Sequence, residues 1–386
     1  MSLIYYTGLI ITGLFFVLES RYKSALSESG AIAKKKYIGV DIVLAFGIII
    51  LLSANRTGYD SISYQRFFSA INFENNNILD YSYVFFGYLI ATIKKFIPNI
   101  SYFEFQALVC LVMGYIAKKA LDSYVLSFRG VCFLYLASGT IAMDGLQFKN
   151  FISVLFLLIG YSYVVKENRN VFCTCMYTLF IGIAVLFHFS FAIYLFLILF
   201  IWLDGKRADK ISKVLLAVGV CSFMVLYFIP ALLPGILNLI AKIPIFKKLL
   251  IYTLSFNGRR ALPALFIYLF QIFFLQICKK ESVKYKGKLK KITAITWYVN
   301  LAMGILLPSL LYANAAFRLF RNLYIINFIV FSNYIIQLPR LSKKRNIMSF
   351  IAVIVSIAVM IYPNFLLNQR IDIMEAMLKG KFFWLR

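Results

Sequence analysis

Acid and histidine are scarce in this sequence. Its 386 residues hold 15 Asp and Glu against 41 Lys and Arg, and His188 is the single histidine. No HExxH stretch and no His/Cys cluster offers a tetrahedral metal site. No acidic doublet of the kind that holds a metal and a nucleotide-sugar diphosphate occurs. A Walker motif is also missing, which argues against ATP-driven transport. An acidic relay inside the apolar runs is missing too, since Asp41 stands alone near a run's end, and this disfavours a proton-coupled carrier. No clear internal repeat supports an inverted-repeat transporter. Six cysteines (Cys110, Cys132, Cys173, Cys175, Cys221 and Cys278) lie in or beside apolar runs, where they read as small apolar residues with no disulfide or zinc framework.

What the sequence does have is hydrophobicity. It is 62% apolar, 18% aromatic and only 15% charged, whereas soluble domains run about half apolar and a quarter charged. Runs such as "IYYTGLIITGLFFVL", "VDIVLAFGIIILLSA" and "SFAIYLFLILFIWL" approach or reach the roughly 20 residues that cross a bilayer. They do not alternate as barrel strands do, so the crossings are helices. The expected fold is an all-α polytopic membrane protein, one integral domain over 1–386, with about twelve transmembrane helices. These fall near 3–19, 38–54, 101–118, 128–143, 146–165, 171–187, 189–204, 213–230, 261–278, 292–311, 315–337 and 347–363. The first run has no basic segment before it and no small-x-small site after it, so it reads as a retained span and not a signal peptide. "FFGYLIATIKKFI", about 85–97, is short and basic and reads as an interfacial helix. Outer loops at about 55–100 and 231–260 are therefore expected to carry helices lying on the membrane.

A net charge of +26 would point to nucleic acid in a soluble chain. Here the positive-inside rule accounts for most of it. One set of alternate loops ("RYKSALSESGAIAKKKY", "KKALDSYVLSFR", "KENRN", "DGKRADKISK", "KKESVKYKGKLKK" and "PRLSKKRN") holds 25 of the 41 basic residues and is assigned to the cytoplasm. Both termini and the remaining loops then lie outside. That outer face still keeps Arg56, Arg66, Lys149, Arg259, Arg260, Arg318 and Arg321 at or near span ends. Single arginines there can snorkel, but cations recurring in four outer segments point to an anionic ligand.

Four outer stretches are candidates for chemistry. In "NRTGYDSISYQRFF" (55–68), Arg56, Asp60 and Tyr64 fall at helical spacing; a structural Arg–Asp pair shaping a loop is the alternative. In "MDGLQFKNF" (143–151), a tight turn is expected at Asp144-Gly145, with Gln147 and Asn150 on one face of the next helix and Lys149 pointing elsewhere, near the membrane surface. Helix capping or interhelical bonding would also explain these polar groups. His188 ends the sixth span as a base, a donor, or an interhelical bonder. In "NAAFRLFRNLY", Asn314, Arg318 and Arg321 fall at i, i+4 and i+7. Two guanidiniums one turn apart repel unless an anion lies between them, and Arg suits bidentate contact with phosphate.

In chain order, "RTGYD" followed by a tyrosine, "DGLQFKNF", "FHFS" and "FRLFRN" resemble the EpsG-like, Wzy-type oligosaccharide repeat-unit polymerases of bacterial capsule, exopolysaccharide and O-antigen synthesis. The chain departs from them at Gln147 and Lys149, where that family usually has arginine. The resemblance implies a metal-independent, cofactor-free glycosyltransferase of the bacterial inner membrane, multi-pass and similar to GT-C-like lipid-linked-sugar transferases. It implies a donor glycan on undecaprenyl pyrophosphate at the outer leaflet and an acceptor repeat unit on a second such lipid. A flippase and a chain-length regulator are the implied partners, beside the bilayer itself. A leaving pyrophosphate without a metal needs fixed cations. The residues expected to carry the chemistry are Arg56, Asp60, His188, Arg318 and Arg321, with Asp60 or His188 as the base. Those expected to hold substrate are Tyr64, Asp144, Gln147, Lys149, Asn150, Arg259, Arg260 and Asn314. An O-antigen-type ligase and a lipid-linked oligosaccharide flippase are the rival functions.

Overall fold

In a chain this apolar, backbone amides away from water must bond within their own segment, which favours helix throughout. The computed structural model describes residues 2–22, 38–54, 59–71, 84–167, 170–232, 235, 256, 258–282, 287–312, 316–339 and 342–361. All are helix or connecting turn; no strand occurs among them. The first five helices are α1 (Ser2–Tyr22), α2 (Ile38–Ala54), α3 (Tyr59–Ala70), α4 (Val84–Phe96) and α5 (Tyr102–Leu121). Next come α6 (Phe128–Ala137), α7 (Thr140–Leu146), α8 (Phe148–Val164) and α9 (Val171–Phe187). A 3₁₀ helix (Phe189–Ile198) leads into α10 (Leu199–Trp202), then α11 (Gly205–Phe228), α12 (Gly258–Glu281) and α13 (Gly287–Met303). A second 3₁₀ stretch (Gly304–Leu311) precedes α14 (Phe317–Arg321), α15 (Tyr324–Gln337) and α16 (Lys343–Ile361). Ser101, Ser127, Asn170 and Asp204 each accept a backbone N–H of the first turn that follows, supplying the partners those helix starts lack.

Helices α6, α7, α8, α13 and α15 form the interior and bury most of their residues. Around them α1, α2, α9 and α11 turn large apolar side chains outward, among them Ile10, Leu14, Val43, Phe46, Leu179, Val214 and Phe228. Outward-facing apolar stripes around a polar-studded interior are what a lipid surround requires. Among the described residues, four helical stretches are long and apolar enough to cross a membrane: Gly205–Phe228, Ala261–Glu281, Gly287–Leu311 and Phe317–Gln337. Counting each of two sharply bent pairs as one span makes six, and four shorter apolar helices lie beside them. That count covers the described residues alone, whereas the twelve predicted spans draw on the whole chain.

The stretch at 128–143 shows that one apolar run need not be one straight helix. It is one apolar run in sequence but two helices in space, broken at Ser138–Gly139, where Gly139 adopts a left-handed φ of 60° that favours glycine. At about 1.5 Å per residue, the ten residues of α6 span only half of a roughly 30 Å hydrocarbon layer. The turn expected at Asp144-Gly145 is absent; both residues lie within α7. The chain turns instead at Gly139 and again at Gln147, where α7 and α8 meet at 114°. Gly145 serves close approach: a Cβ there would stand 2.7 Å from the carbonyl oxygen of Leu52 in α2.

Buried polar residues join the interior helices. Asn300 and Asn327 exchange side-chain amide bonds at 2.8 and 3.0 Å, and Asn327 also donates to Gln271 at 2.9 Å. These bonds tie α12, α13 and α15. Asn333 accepts from the Leu126 amide and donates to the Tyr124 carbonyl, fixing the chain where it bends between α5 and α6. Asp41, alone in the sequence, faces Arg129 at 3.5 Å. Helix α4 buries Phe86, Gly87, Ile90 and Ala91 and exposes Phe85, Tyr88 and Phe96. Its Lys94 donates to the carbonyls of Phe68 and Ile71 at the end of α3.

Candidate active site

The bend at Gln147 sets the first turn of α8 against the end of α9 and against the short α14. Arg321, on the last turn of α14, is buried with 3% of its surface exposed. Its Nη2 donates to Gln147 Oε1 at 2.8 Å and faces Asp144 Oδ1 at 3.6 Å. Asp144 is 2% exposed, and its second oxygen accepts the Tyr135 hydroxyl at 2.6 Å. Beside this group Asn150 donates to Asn322 at 3.1 Å, a second bond between α8 and the α14 segment. Tyr194, from the 3₁₀ helix after His188, donates to the Leu319 carbonyl at 2.5 Å, and Tyr177 of α9 donates to the Tyr194 carbonyl at 2.6 Å. Side chains from α7, the Gln147 bend, α8 and the 3₁₀ helix therefore hold a five-residue helix that has too few turns to stand alone.

His188 sits in the break between α9 and the 3₁₀ helix, half-buried, with Ser190 Oγ 2.7 Å from its Nδ1. Burial, reinforced by the positive charges of Lys149, Arg318 and Arg321, pushes its imidazole down to about 4. Lys149 of α8 and the two arginines of α14, distant from it in sequence, thus lie near enough to act on the same imidazole. Lys149 is buried, with 8% exposed, and does not point away toward the membrane surface as the sequence implies. The bend at Gln147 turns the whole first turn of α8 inward, so its polar residues cannot sort to opposite sides. Arg318 stays half-buried while Arg321 goes fully inside. Among the described residues, Arg321 Nε is a buried donor with no hydrogen-bond partner.

The structure thus brings together Asp144, Gln147, Lys149, Asn150, His188, Arg318 and Arg321. The other candidates have surroundings of their own or lie outside the described residues. Tyr64 is buried in an aromatic cluster of α3, α4 and α5, its ring edge-on to Phe86 at 5.7 Å. Arg66 and Arg259 are exposed. Arg56 and Asn314 lie outside the described residues, and so do the side chains of Asp60 and Arg260; Asp60 itself is in the first turn of α3. Most of the stretch 231–260 is likewise outside them. Sequence reading missed Tyr135, Tyr194 and Asn322. With 26 tyrosines in the chain, no spacing singles out the two that matter here. Asn322 alone had a signal, as the polar neighbour of Arg321.

Fold and site together define a class: an all-helical membrane protein with a buried basic cluster where α8, α9 and α14 meet. The sequence model of the EpsG family matches residues 41–372, and the chain belongs to that family. Membership carries with it a role of polysaccharide-polymerase type. No curated protein and no solved structure matches the chain.

Proposed function

We propose that this protein is a glycosyltransferase that polymerises undecaprenyl-pyrophosphate-linked oligosaccharide repeat units at the outer leaflet of the bacterial cell membrane. A hydroxyl at the non-reducing end of the acceptor repeat attacks the anomeric carbon of the donor glycan. The bond from that carbon to the pyrophosphate oxygen breaks, the hydroxyl proton passes to a base, and the lipid pyrophosphate departs. Negative charge gathers on the departing oxygen, so preorganised cations lower the barrier most. Arg321, Arg318 and Lys149 are the cations assigned to it, with Gln147 and Asn150 shaping their setting.

The observation that carries this reading is Arg321: a buried guanidinium with an unspent donor, fixed by Gln147 beside two further cations. Burying such a group is expensive unless a partner meets it, and a diphosphate is a partner of matching charge and geometry. For the base, a His188 pushed down to about 4 is unprotonated at neutral pH and about as basic as a carboxylate. It is therefore fit to take a proton that leaves late, as is Asp60 at the start of α3.

Arg318→Ala is the test. This residue is half-buried with its neighbour Arg321 already held elsewhere, so folding should survive its loss. In a ladder assay with purified protein and one synthetic lipid-linked repeat, the variant is expected to lose polymer by about a hundredfold or more, the scale of one lost transition-state donor, while single repeats accumulate. Chain lengths and rates matching the wild type would remove the leaving-group role.

A further inference from the structure

Charge in this site is balanced unevenly. Arg321 spends its best hydrogen bond on a neutral partner, Gln147, at 2.8 Å, while Asp144 stands off at 3.6 Å. A guanidinium closed onto a carboxylate reaches about 2.7–2.9 Å. The reason for the gap lies behind the carboxylate. Tyr135 donates to Asp144 Oδ2 at 2.6 Å, so the acid is held back toward α6. All three side chains are buried, and Arg321 Nε has no partner among the described residues. Asp144 is therefore close enough to offset the buried cation yet leaves part of the guanidinium's bonding capacity open.

We infer that Asp144 is the resident counter-ion of Arg321, held at a distance by Tyr135, and that it competes with the diphosphate for the guanidinium and so limits how tightly that anion is held. The inference rests on the leaving-group role proposed above. With the site empty, the carboxylate offsets a buried charge that would otherwise be unmatched. Once an anion enters, the same carboxylate repels it at close range. Release of the lipid pyrophosphate is hastened as a result. Tyr135 and Asp144 are positioning residues on this account; neither touches the reacting atoms.

Two variants should move anion affinity in opposite directions, which a merely structural role would not do. The probe is inorganic pyrophosphate, titrated calorimetrically into the purified full chain in detergent without divalent cations. Asp144→Asn keeps an acceptor for Tyr135 but removes the competing charge, and binding should tighten about tenfold. In turnover its KM and kcat should fall together, because release slows. Tyr135→Phe frees the carboxylate to close on Arg321, and binding should weaken roughly threefold. Arg321→Gln should abolish binding. If Arg321→Gln abolishes it but the other two shift affinity the same way, or not at all, the counter-ion role is wrong and the leaving-group role stands. If wild type does not bind, or Arg321→Gln binds as well as wild type, both fall. Tyr135→Phe deletes one hydroxyl and carries the test alone should Asp144→Asn not fold.

Discussion

Arg321→Met separates what the buried pair does for folding from what it does for chemistry. Arg321 and Asp144 are both almost fully buried, and Asp144 has two partners, Arg321 and the Tyr135 hydroxyl. Removing one member of a buried pair typically costs about 3–5 kcal/mol, because the other is left uncompensated. Gln147 Oε1 also loses its donor, a penalty of about 1–3 kcal/mol that is partly contained in the first figure. In Asp144→Asn/Arg321→Met no buried charge remains unmatched, and about 2–4 kcal/mol of the loss should return. What stays lost is the Gln147 bond. Unfolding can be followed with a thiol-reactive dye, since Cys110, Cys132, Cys173 and Cys278 are buried, while Cys175 and Cys221 are exposed and set the baseline. The single variant should melt well below wild type and the double variant between them. Neither should make polymer, since both lack the guanidinium. A double variant that polymerises would refute the catalytic reasoning, and two variants equally destabilised would show that the pair is not coupled.

Two further outcomes test the fold and the local electrostatics. Gly219→Ala puts a Cβ 1.9 Å from the Gly304 carbonyl oxygen, so α11 must move off the following 3₁₀ stretch at about 1–3 kcal/mol or more. The dye-monitored melt should drop because α11 is forced off the 3₁₀ stretch that follows α13, whereas Gly182→Ala, whose Cβ meets nothing within 4 Å, should melt near wild type. His188 supplies a pH test. Its folded value of about 4 lies below the usual 6.5, so at acid pH the unfolded imidazole takes up a proton that the folded one refuses. Stability should therefore fall as pH drops from about 6.5 toward 4 and be unaffected by this group above 6.5. His188→Gln should flatten that part of the melt-against-pH curve; an unchanged slope would mean the imidazole titrates normally in the fold.

The helices were legible because long apolar runs leave the backbone no other choice, and the FRLFRN stretch was legible because arginines are costly beside apolar surroundings. Local breaks were not. "MDG" reads as a turn, yet Asp144 and Gly145 are helical, and the real break at Gly139 hides inside an apolar run. Its only mark in the residue types is the Ser138-Gly139 pair, a weak signal inside an apolar run, and the packing that fits it, with Gly145 letting α7 lie against the Leu52 carbonyl, is tertiary. The stripe of Asn314, Arg318 and Arg321 assumed one long helix. The short α14 divides its arginines between a half-buried and a buried setting.

Partner choice was harder still to read, although one physical rule bears on it. In an interior this apolar, each buried polar group must find another or carry the cost of having none. Asn150 and Asn322 meet across 172 positions, Arg321 and Gln147 across 174, and Asn300 and Asn327 across 27. Such matches explain many buried polar residues without any function, including Asp41, which faces Arg129. Structural pairing is thus the default, and a leftover donor points to function only where other polar and charged groups gather around it. Arg321 has a partner for Nη2 and a counter-charge in Asp144, yet among the described residues its Nε has none, and Lys149 and Arg318 lie near enough to act with it on the His188 imidazole. An anion supplied from outside the chain is the partner that the proposed function assigns to that remainder.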